Sequence, residues 1–273
     1  MNTEKDYVLG THLEEVERLG IQHRAWRAQM LDAWQRAGFR AGQRLLDLGC
    51  GPGYASLDLA EQVGPTGHVI GIDRSRRFLD VLDDARDRLG LTNITTCERD
   101  LDQAQLPKGA ADGAWVRWVF AFVTQPRDLV ARLHTALKPG ACVVIHEYFD
   151  YTTWRAVPRC AELEAFVSVV IDSWRANGGE PDIALSLPSW LEDVGFEVTR
   201  LHPIIDVVSP TDAKWQWLMS FVESGRQRLV ELGDLSQDRS RAMGREVAAL
   251  ASKPGARMIT PGVLEIIAVR SSL

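Results

Sequence analysis

Three glycines at alternate positions, Gly49, Gly51 and Gly53, follow the apolar run Leu45-Leu46-Asp47-Leu48. Glycine adopts φ > 0 without steric cost and lets a ligand approach the backbone closely. The residues after the turn, 56–62, read as a helix, whose first amide groups have no partner within the helix. A strand, a glycine turn and a helix in that order suit a nucleotide-like ligand. The dinucleotide fingerprint G-x-G-x-x-G fits poorly: its third glycine position is Tyr54, and the last glycine comes one residue early. Asp47 would also repel a pyrophosphate. A carboxylate there suits a ligand that carries a cation, such as an ammonium group.

Further candidate groups lie at the ends of later apolar runs. Val69-Ile70-Gly71-Ile72-Asp73 reads as a second strand ending in an acid whose two oxygens could take both hydroxyls of a ribose, with Arg74 beside it. Residues 93–97 read as a third strand, before Asp100-Leu101. Residues 113–119 read as a fourth, carrying Arg117 and Trp118 near its end. Leu137-Lys138-Pro139-Gly140 then precedes a fifth strand over 141–146, which leads into His146, Glu147 and Asp150. Asp47, Gly49, Gly51 and Gly53 match E/D-x-G-x-G-x-G, and with Asp73, Asp100-Leu101 and the Lys-Pro-Gly turn they resemble the class I S-adenosylmethionine (SAM) methyltransferases. The likeness is strongest over 44–148 and points to the ubiquinone/menaquinone-type or secondary-metabolite branch.

That resemblance implies SAM as cofactor, held by Tyr7, Asp47, Gly49, Gly51, Gly53, Asp73, Arg74, Asp100, Leu101 and Arg117. Asp100 and Leu101 would meet the adenine, Arg117 the cofactor carboxylate, and Tyr7 would close over the methionine part. Methyl transfer is an in-line displacement at an electrophilic carbon, so much of the catalysis can come from positioning. A base is needed only for an acceptor that arrives protonated. The candidates are His146, Glu147, Asp150 and His23, with Tyr148 and Tyr151 as hydrogen-bonding partners. His146 and Glu147 point to opposite faces if their strand continues, so one of the two reaches the crevice. No spacing of His, Cys, Asp or Glu suggests a metal, and the four cysteines read as small buried residues.

Strands alternating with helical patterns imply right-handed βαβ units. The expected fold is α/β, a seven-stranded, mostly parallel Rossmann-like sheet of order 3-2-1-4-5-7-6 with helical N-terminal and cap additions. A long strand over 196–208 and another over 263–270 would supply the last two members. Residues 75–89 read as an amphipathic helix burying Phe78, Val81, Leu82, Ala85 and Leu89, and Pro126 opens the next helix. One domain over 1–273 is expected: an N-terminal helical lid at 1–40, begun by a capping box of Thr11 and Glu14, a cofactor core at 41–150, and helical insertions at 151–188 and 209–255. The insertion helices would cap the cofactor, extend the core or form a homodimer face.

With 273 residues, 45% of them hydrophobic, the chain can bury one large core. Its net charge of −6, with acids and bases interspersed, gives no reason to expect a nucleic acid. The Asn/Asp-Pro-Pro-aromatic tetrapeptide of nucleobase methyltransferases is replaced by Arg117-Trp118-Val119-Phe120. No run reaches the roughly 20 apolar residues of a membrane span. The first ten residues lack a basic-then-apolar leader, so a cytoplasmic location is expected. The acceptor expected is a small, partly apolar molecule, methylated on oxygen, carbon or nitrogen, with Trp118 and Trp154 near it. Protein methylation and a non-catalytic SAM-binding module are the alternatives.

Overall fold

The computed structural model describes residues 13–103 and 105–272. In chain order the elements are α1 (Leu13–Arg36), β1 (Arg44–Leu48), α2 (Tyr54–Val63), β2 (His68–Asp73), α3 (Arg76–Arg88), β3 (Ile94–Glu98), β4 (Ala111–Arg117), α4 (Pro126–Ala136) and β5 (Leu137–Asp150). The remainder comprises β6 (Arg155–Val157), α5 (Ala161–Ala176), α6 (Leu187–Asp193), β7 (Phe196–Ile204), β8 (Val207–Val208), α7 (Ala213–Leu232), α8 (Gln237–Ala248), β9 (Arg257–Ile259) and β10 (Gly262–Arg270). The described chain divides into two compact units. One comprises Arg27–Glu147, Ile183–Pro203 and 264–272; the other 13–26, Tyr148–Asp182 and Ile204–Val263.

The first unit holds a seven-stranded sheet of order β3-β2-β1-β4-β5-β10-β7. Counted among its own strands, that is the expected 3-2-1-4-5-7-6. β1 pairs in parallel with β2 and β4, β2 with β3, and β4 with β5. The inner parallel strands are largely apolar, as strands covered on both faces must be, whereas the edge strand β3 is buried only at Ile94. On one face Leu46, Leu48, Val116, Val143 and Ile145 join Leu129, Val130 and Leu133 of α4. On the other, Leu45, Val69, Trp115 and Val144 pack with Met30 and Trp34 of α1 and Leu59 of α2.

Local chemistry explains the element ends. The Ser75 hydroxyl caps α3 by accepting from the Phe78 amide at 3.3 Å, and Pro126 opens α4. α3 ends one residue early for its expected stripe: Leu89 is 64% exposed, Val81 and Ala85 are only half-buried, and Leu79 takes a buried place beside Phe78 and Leu82. The Lys-Pro-Gly segment loops out of β5, whose pairing with β4 jumps from Ala111↔Leu137 to Gly113↔Cys142, with Gly140 at φ 77°. The long strand expected over 196–208 is two strands. At the break Asp206 and Thr260 exchange hydrogen bonds, the Asp206 amide to the Thr260 hydroxyl and the Thr260 amide to the Asp206 carbonyl, each 3.0 Å.

The second unit gathers segments that the sequence places outside the minimal core. It contains a three-stranded antiparallel sheet, β6-β9-β8, with α5, α7 and α8. Leu163, Val167, Val170 and Trp174 of α5 are buried, as their spacing predicts, with Phe166 and Ile171. Tyr148, Tyr151, Trp154, Phe166, Trp174 and Phe221 form one aromatic cluster, with ring centroids 4.8–6.5 Å apart. The division between the units falls within α1, so the helix expected as a lid over 1–40 is shared between them. Tyr7 and Thr11 lie outside the described residues.

Candidate cofactor site

The loop after β1 is built from backbone that side chains would block. Gly49, Gly51 and Gly53 all have positive φ, 65°, 54° and 84°. A Cβ on Gly49 would lie 2.4 Å from Val119 Cγ2, and one on Gly53 would lie 2.3 Å from Leu82 Cδ1 of α3. Gly53 is also the N-cap of α2, so the close packing that a dinucleotide fold assigns to its third glycine is here a contact with α3. The Gly49 and Cys50 amides donate to the Ile72 carbonyl at 2.8 and 3.0 Å, tying the loop to β2.

Asp73, at the end of β2, fixes the loop from the other side. One carboxylate oxygen accepts from the Gly51 amide and the other from the Ser75 amide, each at 2.8 Å. A carboxylate has about four acceptor positions, so each oxygen retains capacity for a hydroxyl. Burial raises the Asp73 pKa, against the amides that favour its charged form.

Asp47 is buried in β1 and accepts from the Ser56 hydroxyl at 2.6 Å. Burial pushes its pKa up to about 7, with the Asp73 charge adding to the shift, while the Ser56 hydrogen bond and the Arg117 charge oppose it. The Arg117 guanidinium lies over the rings of Trp115 and Trp118, 5.6 and 5.3 Å from their centroids. Arg74 is half-buried beside Asp73. Asp100 accepts from the Asp102 amide at 3.0 Å, and Leu101 belongs to the apolar core. All nine of these described residues are in the sheet-bearing unit.

The four base candidates divide between the units. His146 and Glu147 belong to the sheet-bearing unit; His23 and Asp150 belong to the other. His146 is fully buried, 4.9 Å from the Trp115 ring centroid, and its Nε2 is 3.4 Å from the Glu265 carboxylate. Glu147 is fully buried and accepts from the Val119 and Phe120 amides at 2.5 and 2.7 Å. Asp150 accepts from the Thr152 amide and hydroxyl at 2.9 and 2.6 Å, capping a 3-10 turn. His23 is a buried residue of α1. Trp118 is 7% exposed and Trp154 is 1% exposed.

Several contributors were not singled out from sequence. Ser56 lies in the first turn of α2, where helix phasing could have aimed it at Asp47. Gly71 leaves room beside it: a Cβ there would lie 3.1 Å from Cys50 Sγ and 3.2 Å from Ser56 Oγ. Val119 and Glu265 carry no local signal, because their contacts are set by strand order. Trp118 has φ 52°, rare for a bulky residue and invisible in the sequence.

Residues 39–175 match a family described as a methyltransferase domain. A Streptomyces fradiae protein, an uncharacterized 37.1 kDa product of transposon TN4556, is 31% identical over 213 residues; the match covers 78% of this chain and 59% of the relative. The ubiquinone/menaquinone biosynthesis C-methyltransferase UbiE of Vibrio campbellii is 27% identical over 199 residues, covering 67% of this chain and 74% of UbiE. Among solved structures, a candidate methyltransferase from Bacillus halodurans superposes with a TM-score of 0.60 at 14% identity, covering 90% of this chain and all of that one. The methyltransferase-domain match spans half of the chain, its glycine loop and the acid at the end of β2 included, and the chain belongs to the class I SAM-dependent methyltransferases.

Proposed function

We propose that the protein moves a methyl group from SAM to an oxygen, carbon or nitrogen atom of a small, partly apolar molecule. The observation that carries this reading is the glycine loop pinned to Asp73, a cradle that any side chain at Gly49 or Gly53 would disturb. In this reading Asp47 would face the ammonium group, Asp73 would take the ribose hydroxyls with Arg74 beside it, Asp100 and Leu101 would meet the adenine, and Arg117 would pair with the carboxylate. When bound, SAM supplies a methyl group on a sulfonium, already activated toward a nucleophile.

The chain's own contribution is orientation. Glu147 and Asp150 already accept from backbone amides, and His146 faces Glu265, so the engagements of three of the four base candidates support catalysis by positioning, with His23 the remaining candidate. Likeness to a quinone-biosynthesis C-methyltransferase supports an apolar acceptor. The test is to incubate the protein with SAM carrying a deuterated methyl group and a cell extract, then follow the label by mass spectrometry. Label in a small molecule is expected and gives the acceptor's mass. Label confined to proteins would replace this acceptor class with a protein. SAM binding without any transfer would favour a non-catalytic SAM module.

A further inference from the structure

The turn after β4 is held in a costly shape, and the groups that hold it come from one neighbouring strand. Trp118 has φ 52°, a conformation that persists in a bulky residue only where its surroundings over-determine it. On one side the Trp118 amide donates to the His146 carbonyl at 3.0 Å. On the other, a single Glu147 oxygen accepts from both the Val119 and Phe120 amides. Those bonds fix Val119, whose side chain lies where a Cβ on Gly49 would be. A continuous line of contacts therefore runs from the Glu147 carboxyl through Val119 to the first glycine of the cofactor loop.

The second Glu147 oxygen is buried with no hydrogen-bond partner among the described residues. An ionised carboxylate with one oxygen so placed would be expensive; in a neutral carboxyl the carbonyl oxygen takes the two amides and the unpartnered group is a hydroxyl, which costs less to bury than a charge. Burial accordingly pushes the Glu147 pKa up to about 8, against the amides of Phe120, Val119 and Ala121.

We propose that Glu147 is a positioning residue of the SAM site: a neutral clamp that holds the turn 118–120 so that Val119 supports Gly49, and not a base that takes the acceptor's proton. This rests on the cofactor reading above. Glutamine reproduces a neutral carboxyl in shape and keeps the accepting oxygen, so Glu147→Gln is the conservative variant. Leucine keeps the bulk and removes the acceptor.

The experiment is calorimetric titration of SAM into the full chain, with a thermal melt for each variant and the labelled-methyl assay alongside. Glu147→Leu should weaken SAM about tenfold or more, and Glu147→Gln should stay within about threefold of the unaltered protein in affinity and label transfer. Val119→Ala should also weaken SAM, and in combination with Glu147→Leu add less than its separate effect, because both act on one contact. Unchanged SAM affinity in Glu147→Leu, or in Val119→Ala should the leucine variant not fold, would overturn the clamp. So would a Glu147→Gln variant that binds SAM normally but no longer transfers label, since that marks a base. Failure of the unaltered protein to bind SAM would instead overturn the cofactor reading and remove the premise of the clamp.

Discussion

Asp47 and Asp73 have the same side chain in different environments, and the difference can be measured. Deep burial lifts the Asp47 pKa to about 7, and its one hydroxyl donor, Ser56, only partly opposes that. A raised carboxyl pKa means the folded protein binds more protons than the unfolded chain between the ordinary value near 4 and about 7. The Asp47 contribution to stability is therefore full below pH 4 and declines as pH rises toward 7. A cationic ligand reverses the preference, because the ammonium group favours the ionised carboxylate. SAM affinity should rise as pH increases from 5 to 7, by up to about tenfold per pH unit where one proton is released on binding. Titration calorimetry at several pH values reads this slope, and Asp47→Asn should flatten it. An unchanged slope in the variant would remove Asp47 from the ammonium site. Asp73 differs because both its oxygens already accept from backbone amides. Asp73→Ala removes the loop's anchor and the proposed ribose acceptor together, and should weaken SAM by about 1–3 kcal/mol. An unaltered dissociation constant would show that neither job belongs to Asp73.

At the scale of elements, the sheet brings together groups that no motif could pair. Glu265 of β10 is 1% exposed and faces Arg36 of α1 at 2.8 Å, Arg200 of β7 at 2.7 Å and His146 of β5 at 3.4 Å. Burial alone would raise its pKa; the His146, Arg200 and Arg36 hydrogen bonds outweigh that and hold it down at about 2. A depressed carboxyl pKa stabilises the fold above its ordinary value near 4.5, and the benefit disappears as pH falls toward 2. Glu265→Gln should destabilise the protein at pH 7 by about 1–3 kcal/mol, less than for a wholly buried pair because both arginines are about one-third exposed. Denaturant melts of both proteins should converge between pH 4 and 2; an equal gap at both ends would show that the charge is not the cause. This network marks the limit of what sequence reveals. The glycine loop and the acid ending β2 were legible because a strand, a turn and a helix cap are specified by neighbouring residues. Glu265 was not, because its partners meet only once β10 lies between β5 and β7. The break at Asp206 was missed for the same reason: an apolar pattern across 196–208 does not show that Thr260 interrupts it.

The whole chain separates what is local from what is distributed. Every described residue assigned to SAM lies within one continuous stretch, Arg27–Glu147, of the sheet-bearing unit. The segments that the sequence reads as additions mostly gather in the other unit, around an aromatic cluster. Cofactor binding can therefore be mapped without knowing the acceptor. A ligand that binds only the folded state at a hundred times its dissociation constant stabilises that state by about 2.7 kcal/mol. Amides released by local opening show the effect where the ligand touches, whereas those released only by global unfolding gain it throughout. With saturating SAM, hydrogen exchange should slow first and most at 48–56 and 71–76, where the loop amides bond to Ile72 and Asp73. Amides of α8, Gln237–Ala248, that exchange by fraying should be unaffected. Protection centred on α7 and α8 would place the ligand in the helical unit and overturn the assignment of the glycine loop. Protection at the loop with additional slowing at Tyr148–Asp182 would instead show that SAM binding also orders the segment that supplies most of the aromatic cluster.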